Sequence, residues 1–194
     1  RAFDSNGTNS TSTTDNAFVS SLDLDDDVGI KGTFSFWFNI NTAWDQGGYN
    51  GGERTLFDAS VGSSASDKYF ALELQSSGRL RFTFEDSVDS DFSIEEPSVG
   101  ARSANTWYYV TVTWDYESDT FELYVDGSLR TQQSQNTNGS MSNLGSIVFG
   151  DNASTYSANG NGSLPSRTSA NGKFDEVRLY PRVLSQTEIS ADMD

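Results

Sequence analysis

The feature that most constrains the fold is a period-two alternation of apolar and polar residues that recurs along the chain. In the segment 33–40, Phe34, Phe36 and Phe38 alternate with polar residues and with Trp37. Alternation of this kind places the two sets of side chains on opposite faces of a β-strand. The same pattern predicts further strands at 70–74, 80–84, 108–114, 121–125, 147–149 and 177–179, with shorter candidates at 17–22 and 55–58.

A helical pattern occurs only near the C-terminus. Ser185 and Glu188 have the spacing of a capping box, and Ile189 and Ala191 follow them. Many short strands with one short helix predict an all-β sandwich or barrel. A chain of 194 residues fits one such domain over 1–194, and it can bury a core without disulfides, which a sequence with no cysteine cannot form.

Charge excludes several classes of partner. The chain has 28 acidic and 12 basic residues, a net charge of −16, and no histidine. Because phosphate recognition needs a basic surface, we expect neither nucleic acid nor an anionic membrane as partner. No apolar run is long enough to insert into a membrane. The acidity is compatible with bound calcium, for which carboxylates are hard ligands, and equally with a surface that is simply soluble.

Two long irregular segments, 42–52 and 151–172, interrupt the strands and are rich in Gly, Asn and Ser. Loops of this length are usually functional or disordered. They carry Trp44, Tyr49 and Tyr156, and exposed aromatic rings stack on the apolar faces of sugars. The alternative is that these rings pin their own loops to the sandwich. Three tryptophans fall within predicted strands and are predicted to be packing residues: Trp37, Trp107 and Trp114.

Five motifs follow one another in a distinctive order: GTFSFWF at 32–38, WYYVTVTW at 107–114, FELYVDG at 121–127, IVFG at 147–150 and KFDEVRLY at 173–180. This series resembles the concanavalin A-like, laminin-G-like jelly-roll family, which is related to pentraxins, lectins and glucanases. The resemblance extends from about Phe3 to Ile189. It implies a two-sheet antiparallel jelly-roll sandwich with one short C-terminal helix. The fold leaves function open, because it serves both binding proteins and enzymes.

Asp175 is a candidate metal ligand. Counting by twos from Val177 and Leu179 predicts that its carboxylate faces the core, where an ionised acid needs a partner or a metal. The family resemblance implies a structural calcium ion at this point, which would join the closing strand to the start of the chain through Asp4. An arginine partner, or a position at the wet rim of the sheet, is the alternative.

A second calcium site is implied by the resemblance to pentraxins, between two loops that carry Asp67, Asp151 and Asn152. The sequence departs from pentraxins at 153–156, which reads Ala-Ser-Thr-Tyr instead of an acidic run, so solvated loop tips are the alternative. The acidic run 23–27 lacks the spacing of an EF-hand loop and is predicted to be a solvated turn.

The sequence offers no recognisable catalytic constellation. Without histidine or cysteine, Ser-His-Asp and Cys-His chemistry are excluded. Glycosidases of similar fold use closely spaced Glu-x-Asp-x-Glu carboxylates, and neither 85–89 nor 122–126 matches that pattern. A catalytic role is therefore not expected.

Together these features predict a calcium-stabilised carbohydrate-binding domain that is secreted or at the cell surface. The start at Arg1 without a leader favours a piece of a larger multidomain protein, such as a bacterial adhesin or a polysaccharide-degrading enzyme. The predicted ligand-binding residues are Trp44, Tyr49, Asp67, Asp151, Asn152 and Tyr156. A protein-binding or spacer module of a cell-surface protein is the alternative.

Overall fold

The structure is a computed structural model that describes residues 3–5, 18–41, 54–60, 70–75, 77–88, 90–97, 102–141, 143–150 and 168–194. Within these residues there are thirteen strands and two helices. The strands are β1 (Phe3–Ser5), β2 (Phe18–Asp23), β3 (Lys31–Ile40), β4 (Arg54–Asp58), β5 (Phe70–Leu74), β6 (Leu80–Glu85), β7 (Asp91–Glu95), β8 (Trp107–Asp115), β9 (Thr120–Val125), β10 (Ser128–Ser134), β11 (Ser146–Phe149), β12 (Thr168–Ser169) and β13 (Gly172–Tyr180). The helices are α1 (Leu24–Asp27) and α2 (Gln186–Asp192).

The strands form two sheets that pack face to face. The six-stranded sheet has the order β1-β13-β3-β8-β9-β10, and the seven-stranded sheet has the order β2-β11-β4-β5-β6-β7 with β12 beside β4. Neighbouring strands are antiparallel in both sheets, except that the short β12 runs parallel to β4. The predicted all-β jelly-roll sandwich is confirmed.

The core lies between the sheets and is rich in aromatic rings, as the alternation predicts. Phe34 contacts Phe57 edge to face at 4.6 Å between ring centroids. Phe84 stacks on Phe121 at 3.8 Å, also across the two sheets. Aromatic pairs of this kind add to the free energy gained by burying their apolar area. The packing is tightest where a phenylalanine from one sheet meets one from the other.

Trp114 is fully buried, as predicted, and fixes the start of β3. Its Nε1 donates a hydrogen bond to the carbonyl of Gly29 at 3.1 Å. Its ring lies over Gly32, where an added Cβ would come within 2.2 Å of a ring carbon. Glycine is required at this position because the indole occupies the space of any side chain.

A β-bulge in β13 overturns the predicted orientation of Asp175. Phe174 is opposite Phe38 and fully buried, so Asp175, one residue later, lies on the outer face of the sheet. The register shifts between Asp175 and Arg178, and Glu176 has a φ of 48°. The prediction that Asp175 faces the core is wrong because the extra residue of the bulge breaks the count by twos from Leu179.

The prediction of a solvated turn at 23–27 is wrong. This run contains the one-turn helix α1, in which Leu24 is buried. The Ser185 capping box of α2 is confirmed. The edge strands β7 and β10 were not predicted, since neither has a full apolar face. Among the described residues, no helix is long and apolar enough to cross a bilayer.

Candidate functional site

The outer face of the seven-stranded sheet carries a line of polar side chains, which we call the polar row: Thr55, Glu73, Arg81 and Glu95. Strand register places them side by side, because Thr55 is opposite Glu73, Glu73 opposite Arg81, and Arg81 opposite Glu95. Thr55 and Glu73 are 0% exposed, although they face away from the core. A fully buried carboxylate outside the core is unusual and requires a compensating charge.

Arg81 supplies that charge. Its Nε and Nη2 donate to the same Oε2 of Glu73 at 3.0 and 2.7 Å. Hydrogen bonds between two charged groups are shorter and stronger than neutral ones, so the pair fixes β5 against β6 at mid-strand. At the outer end of the polar row, Glu95 forms an ion pair with Arg79, and both side chains there are partly exposed.

Asp58 is a second buried acid on the same face. It lies opposite Val148 on one side and Ala71 on the other, and is 0% exposed. Its Oδ1 accepts a hydrogen bond from the Ser60 amide at 2.8 Å, and the Ser60 hydroxyl accepts one from the Phe70 amide at 3.0 Å. Asp58 therefore sets the geometry at the end of β4 and the start of β5.

Sequence reasoning missed these two acids, although signals were present. Glu73 interrupts the apolar strand 70–74, and Arg81 occupies the matching position on the next strand. Opposite charges at facing positions of neighbouring strands indicate a cross-strand pair. Asp58 gave a weaker signal, because an acid that ends a strand is common in solvated turns.

The predicted ligand-binding residues all lie outside the described residues: Trp44, Tyr49, Asp67, Asp151, Asn152 and Tyr156. The ends of the segments that carry them are described, and all adjoin β4. The segment 42–53 enters β4 at Arg54, and 61–69 joins its far end to β5. The segment 151–167 leaves from Gly150, whose amide donates to the Leu56 carbonyl at 2.8 Å, and returns through β12 beside Arg54. The segments 42–53 and 151–167 thus adjoin the Arg54 end of β4, and 61–69 adjoins the opposite end of that strand.

The predicted metal ligands Asp4 and Asp175 lie close together in register. Position 4 is opposite Lys173, two residues before Asp175, so positions 4 and 175 are diagonal neighbours in register. Asp175 is half-buried, and its Oδ1 accepts the amide of Glu176 at 2.9 Å. Two aspartates suit calcium chemically but supply few of its six to eight oxygens. No group of three acids that could hold a metal occurs in the described part of the chain. Lys173 is opposite position 4 in register, so its positive charge competes with a metal ion for a carboxylate there.

The acids considered as catalytic from the sequence have structural hydrogen bonds. Asp86 is fully buried, and its Oδ1 accepts the amides of Val88 and Ser90, each at 2.9 Å. Asp126 accepts the amide of Tyr109 at 2.9 Å. These bonds hold the ends of strands β6 and β8 in place.

The architecture defines the class of protein: two packed antiparallel sheets, with the first and last strands paired in the same sheet, form a jelly-roll sandwich of the lectin type. A family model described as the concanavalin A-like lectin/glucanases superfamily matches residues 6–190, and the chain belongs to this family. No curated protein sequence matches the chain.

Solved structures with the same fold include binding domains of botulinum neurotoxins. The serotype D ligand-binding domain in complex with N-acetylneuraminic acid has a TM-score of 0.65 and 16% identity, over 98% of this chain and 41% of that one. The DC binding domain in complex with SialylT has a TM-score of 0.64 and 18% identity, over 93% and 39%. The serotype G binding domain has a TM-score of 0.61 and 16% identity, over 98% and 41%. The chain spans about two fifths of these domains, and the likeness at this identity concerns the fold.

Proposed function

We propose that the protein is a non-catalytic, extracellular carbohydrate-binding domain whose ligand is bound by the segments around β4. The observation that carries the proposal is that 42–53 and 151–167 both adjoin the Arg54 end of β4. Their sequences combine aromatic rings with Asp and Asn, the side chains that stack on sugar rings and bind hydroxyls.

The sheet that contains β4 supports a binding role because buried charges and hydrogen bonds hold its strands together. Glu73 is neutralised by Arg81, and Asp58 is engaged with the Ser60 amide, so these buried acids hold the scaffold instead of meeting a ligand. Binding residues on loops gain affinity when the scaffold that positions them is fixed. The same engagement argues against a hydrolase, which needs two accessible carboxylates about 5–5.5 Å apart for a retaining reaction.

Sialylated glycans are one ligand class worth including in a test. Two domains of similar fold are complexes with N-acetylneuraminic acid and with SialylT. The net charge of −16 opposes an anionic sugar unless a cation or a local basic group offsets it. Neutral glycans therefore belong in the same panel. The comparison of binding to neutral and to sialylated glycans shows whether the charge of the chain limits its ligand class.

The binding test is a glycan array with the wild-type chain, the double variant Trp44→Ala/Tyr49→Ala and the control Val88→Ala. Val88 is an exposed apolar residue, 59% exposed, in the turn between β6 and β7. We expect the double variant to bind at least about tenfold more weakly, since stacking on aromatic rings contributes on the order of 1.4 kcal/mol or more. The control should bind like wild type. Silence of the wild-type chain across neutral and sialylated glycans contradicts the proposal.

Calcium is proposed as a stabilising ion, held by Asp4 and Asp175 or by Asp67, Asp151 and Asn152. An ion that binds only the folded chain raises its melting temperature with concentration. The measurement is thermal melting in calcium and in EDTA, with Asp175→Asn and Asp151→Asn as separate variants. A rise that is lost in one variant locates the ion. An unchanged melting temperature in the wild-type chain removes both sites.

A further inference from the structure

The outer face of the six-stranded sheet is divided into two halves. Over one half, Leu184 and Ile189 pack against Tyr109 and Tyr124 and are buried with them. In the other half stands Trp107, the first residue of β8, which is 37% exposed. The sequence prediction that Trp107 is a packing residue is therefore wrong. Tyr108 is opposite Phe38, which is buried in the core, so Tyr108 faces inward. Trp107, one residue earlier on the strand, therefore faces outward.

Strand register places a buried asparagine beside Trp107 and a lysine one strand further away. Asn39 on β3 is directly opposite Trp107, and Lys173 on β13 is directly opposite Asn39. One step along, Trp37 is opposite Tyr109 on one side and Asp175 on the other. The Trp37 and Tyr109 rings lie 5.1 Å apart between centroids, so Trp37 packs beside Tyr109 at the edge of the covered half. We call this surface the Trp107 face: Trp107, Lys173 and Asp175, with the buried Asn39 between the first two in register and Trp37 at the border with the covered half.

We infer that the Trp107 face is a second glycan-binding surface, which takes a neutral pyranose unit on the indole of Trp107. This inference rests on the proposed carbohydrate-binding function but places a contact on the sheet opposite to the β4 segments. A flat indole matches the apolar C–H face of a pyranose ring. Lys173 lies two strands away, across Asn39, and Asp175 follows it on β13. Both are half-buried and provide a donor and an acceptor for hydroxyls of the sugar chain.

The size of the surface favours a sugar over a protein. A stable protein interface buries about 800 Å² on each partner. The one exposed aromatic ring of this surface, Trp107, is 37% exposed and offers far less apolar area. A single sugar unit needs only one aromatic platform and a few hydrogen bonds. The Trp107 face therefore suits one sugar unit of a polysaccharide, which offers many such units along its chain.

The charge of the surface favours a neutral sugar. Asp175 on the same strand offsets the charge of Lys173, in a chain of net charge −16. An anionic glycan would be repelled by the net charge of the chain, whereas a neutral pyranose would not. The ligand class is thus a neutral hexose or pentose polymer.

The test is affinity electrophoresis in gels that contain barley β-glucan, mannan or xylan as neutral polysaccharides, with alginate as the polyanion. The variants are Trp107→Ala, Trp107→Phe and the matched control Leu129→Ala. Leu129 is 41% exposed on β10, and its register partner Tyr124 belongs to the same outer face. We expect retardation of the wild-type chain in at least one neutral gel and none in alginate. Trp107→Ala should weaken binding at least about tenfold, Trp107→Phe less, and Leu129→Ala not at all.

Far-UV circular dichroism and melting of each variant separate a lost contact from a lost fold. The double variant Trp44→Ala/Tyr49→Ala, run in the same gels, separates the two surfaces. If it loses retardation while Trp107→Ala keeps it, the inference about the Trp107 face is overturned and the proposed function stands. If Trp107→Ala alone loses retardation, the inference stands and the site at the β4 segments fails. Wild-type mobility unchanged in all three neutral gels overturns the inference.

Discussion

The two outer faces of the sandwich are stabilised by different chemistry. On the seven-stranded sheet, buried charges neutralise one another within the sheet, as Glu73 does with Arg81. On the six-stranded sheet, Thr33, Ser35 and Thr111 are small, and the covering element is α2. One face thus depends on cross-strand ion pairing, and the other on a helix that must be attached from the end of the chain.

Besides the packing of Ile189, α2 is attached to the sheet by the carboxylate of Asp192. Asp192 accepts hydrogen bonds from the hydroxyls of Ser35 at 3.1 Å, Tyr109 at 2.6 Å and Tyr180 at 2.6 Å, and its carboxylate lies 3.1 Å from an Arg178 nitrogen. Burial by itself raises the pKa of Asp192, but these hydrogen bonds and the arginine lower it below the ordinary value. The comparison shows that one fold can stabilise equivalent faces by local pairing or by a distant anchor, with different responses to pH.

The largest expected effect is on the seven-stranded face. Glu73→Gln removes the charge that compensates Arg81 inside the sheet, and breaking a buried pair costs about 3–5 kcal/mol of unfolding free energy. Urea unfolding measures it. The matched control is Glu95→Gln in the same polar row, where Glu95 is 28% exposed and a surface ion pair contributes less than about 1 kcal/mol. Equal losses in the two variants would contradict the role assigned to burial.

The next effect is on the six-stranded face. Asp192→Asn should cost about 2–3 kcal/mol, because hydrogen bonds to a charged acceptor become neutral ones. The pKa of folded Asp192 is below its ordinary value, so its stabilisation is complete above about pH 4 and is lost as pH falls through the lower folded pKa. Melting from pH 6 to pH 2 should show a steeper acid loss in wild type than in Asp192→Asn. Parallel pH profiles would show that Asp192 does not anchor α2.

The smallest effect compares one threonine from each face. Within the described residues, the buried hydroxyl oxygens of Thr83 and Thr111 have no hydrogen-bond partner. Thr111→Val and Thr83→Val remove that polar atom while keeping the side-chain shape, and should raise stability by about 0.5–1 kcal/mol. Thermal melting of each variant checks this. A loss of stability in Thr83→Val alone would indicate that its hydroxyl is satisfied on the seven-stranded face.

Alternation identified the main strands because burial between two sheets imposes a period of two wherever a strand has an apolar side. The segments around Phe34, Phe82 and Leu123 were predicted for that reason. It failed for the edge strand β10, whose residues Ser128–Ser134 are mostly polar and exposed on both faces. It also failed at Asp175, because a bulge inserts one residue without any marker in an apolar and polar pattern.

The candidate sites were less predictable than the fold. Glu73 could have been found by pairing its charge with Arg81 on the next strand, which requires the register of β5 against β6. Trp107 directly precedes the predicted strand 108–114, whose alternation turns Tyr108 inward and Trp107 outward, and only the structure shows that Trp107 is partly exposed. The predicted ligand-binding residues, from Trp44 to Tyr156, fall outside the described residues and stay predictions.

The sequence by itself determined the all-β class, since repeated alternation and one capping box predict a sandwich or barrel with a short final helix, and the order of five motifs favoured the two-sheet sandwich. Only the tertiary structure decided which outward residues are buried and which are exposed. Glu73 and Trp107 both face away from the core, yet the acid is fully buried and the tryptophan is partly open to solvent. The physical reason is that alternation fixes the side of a sheet, whereas exposure depends on what the rest of the chain packs against that side.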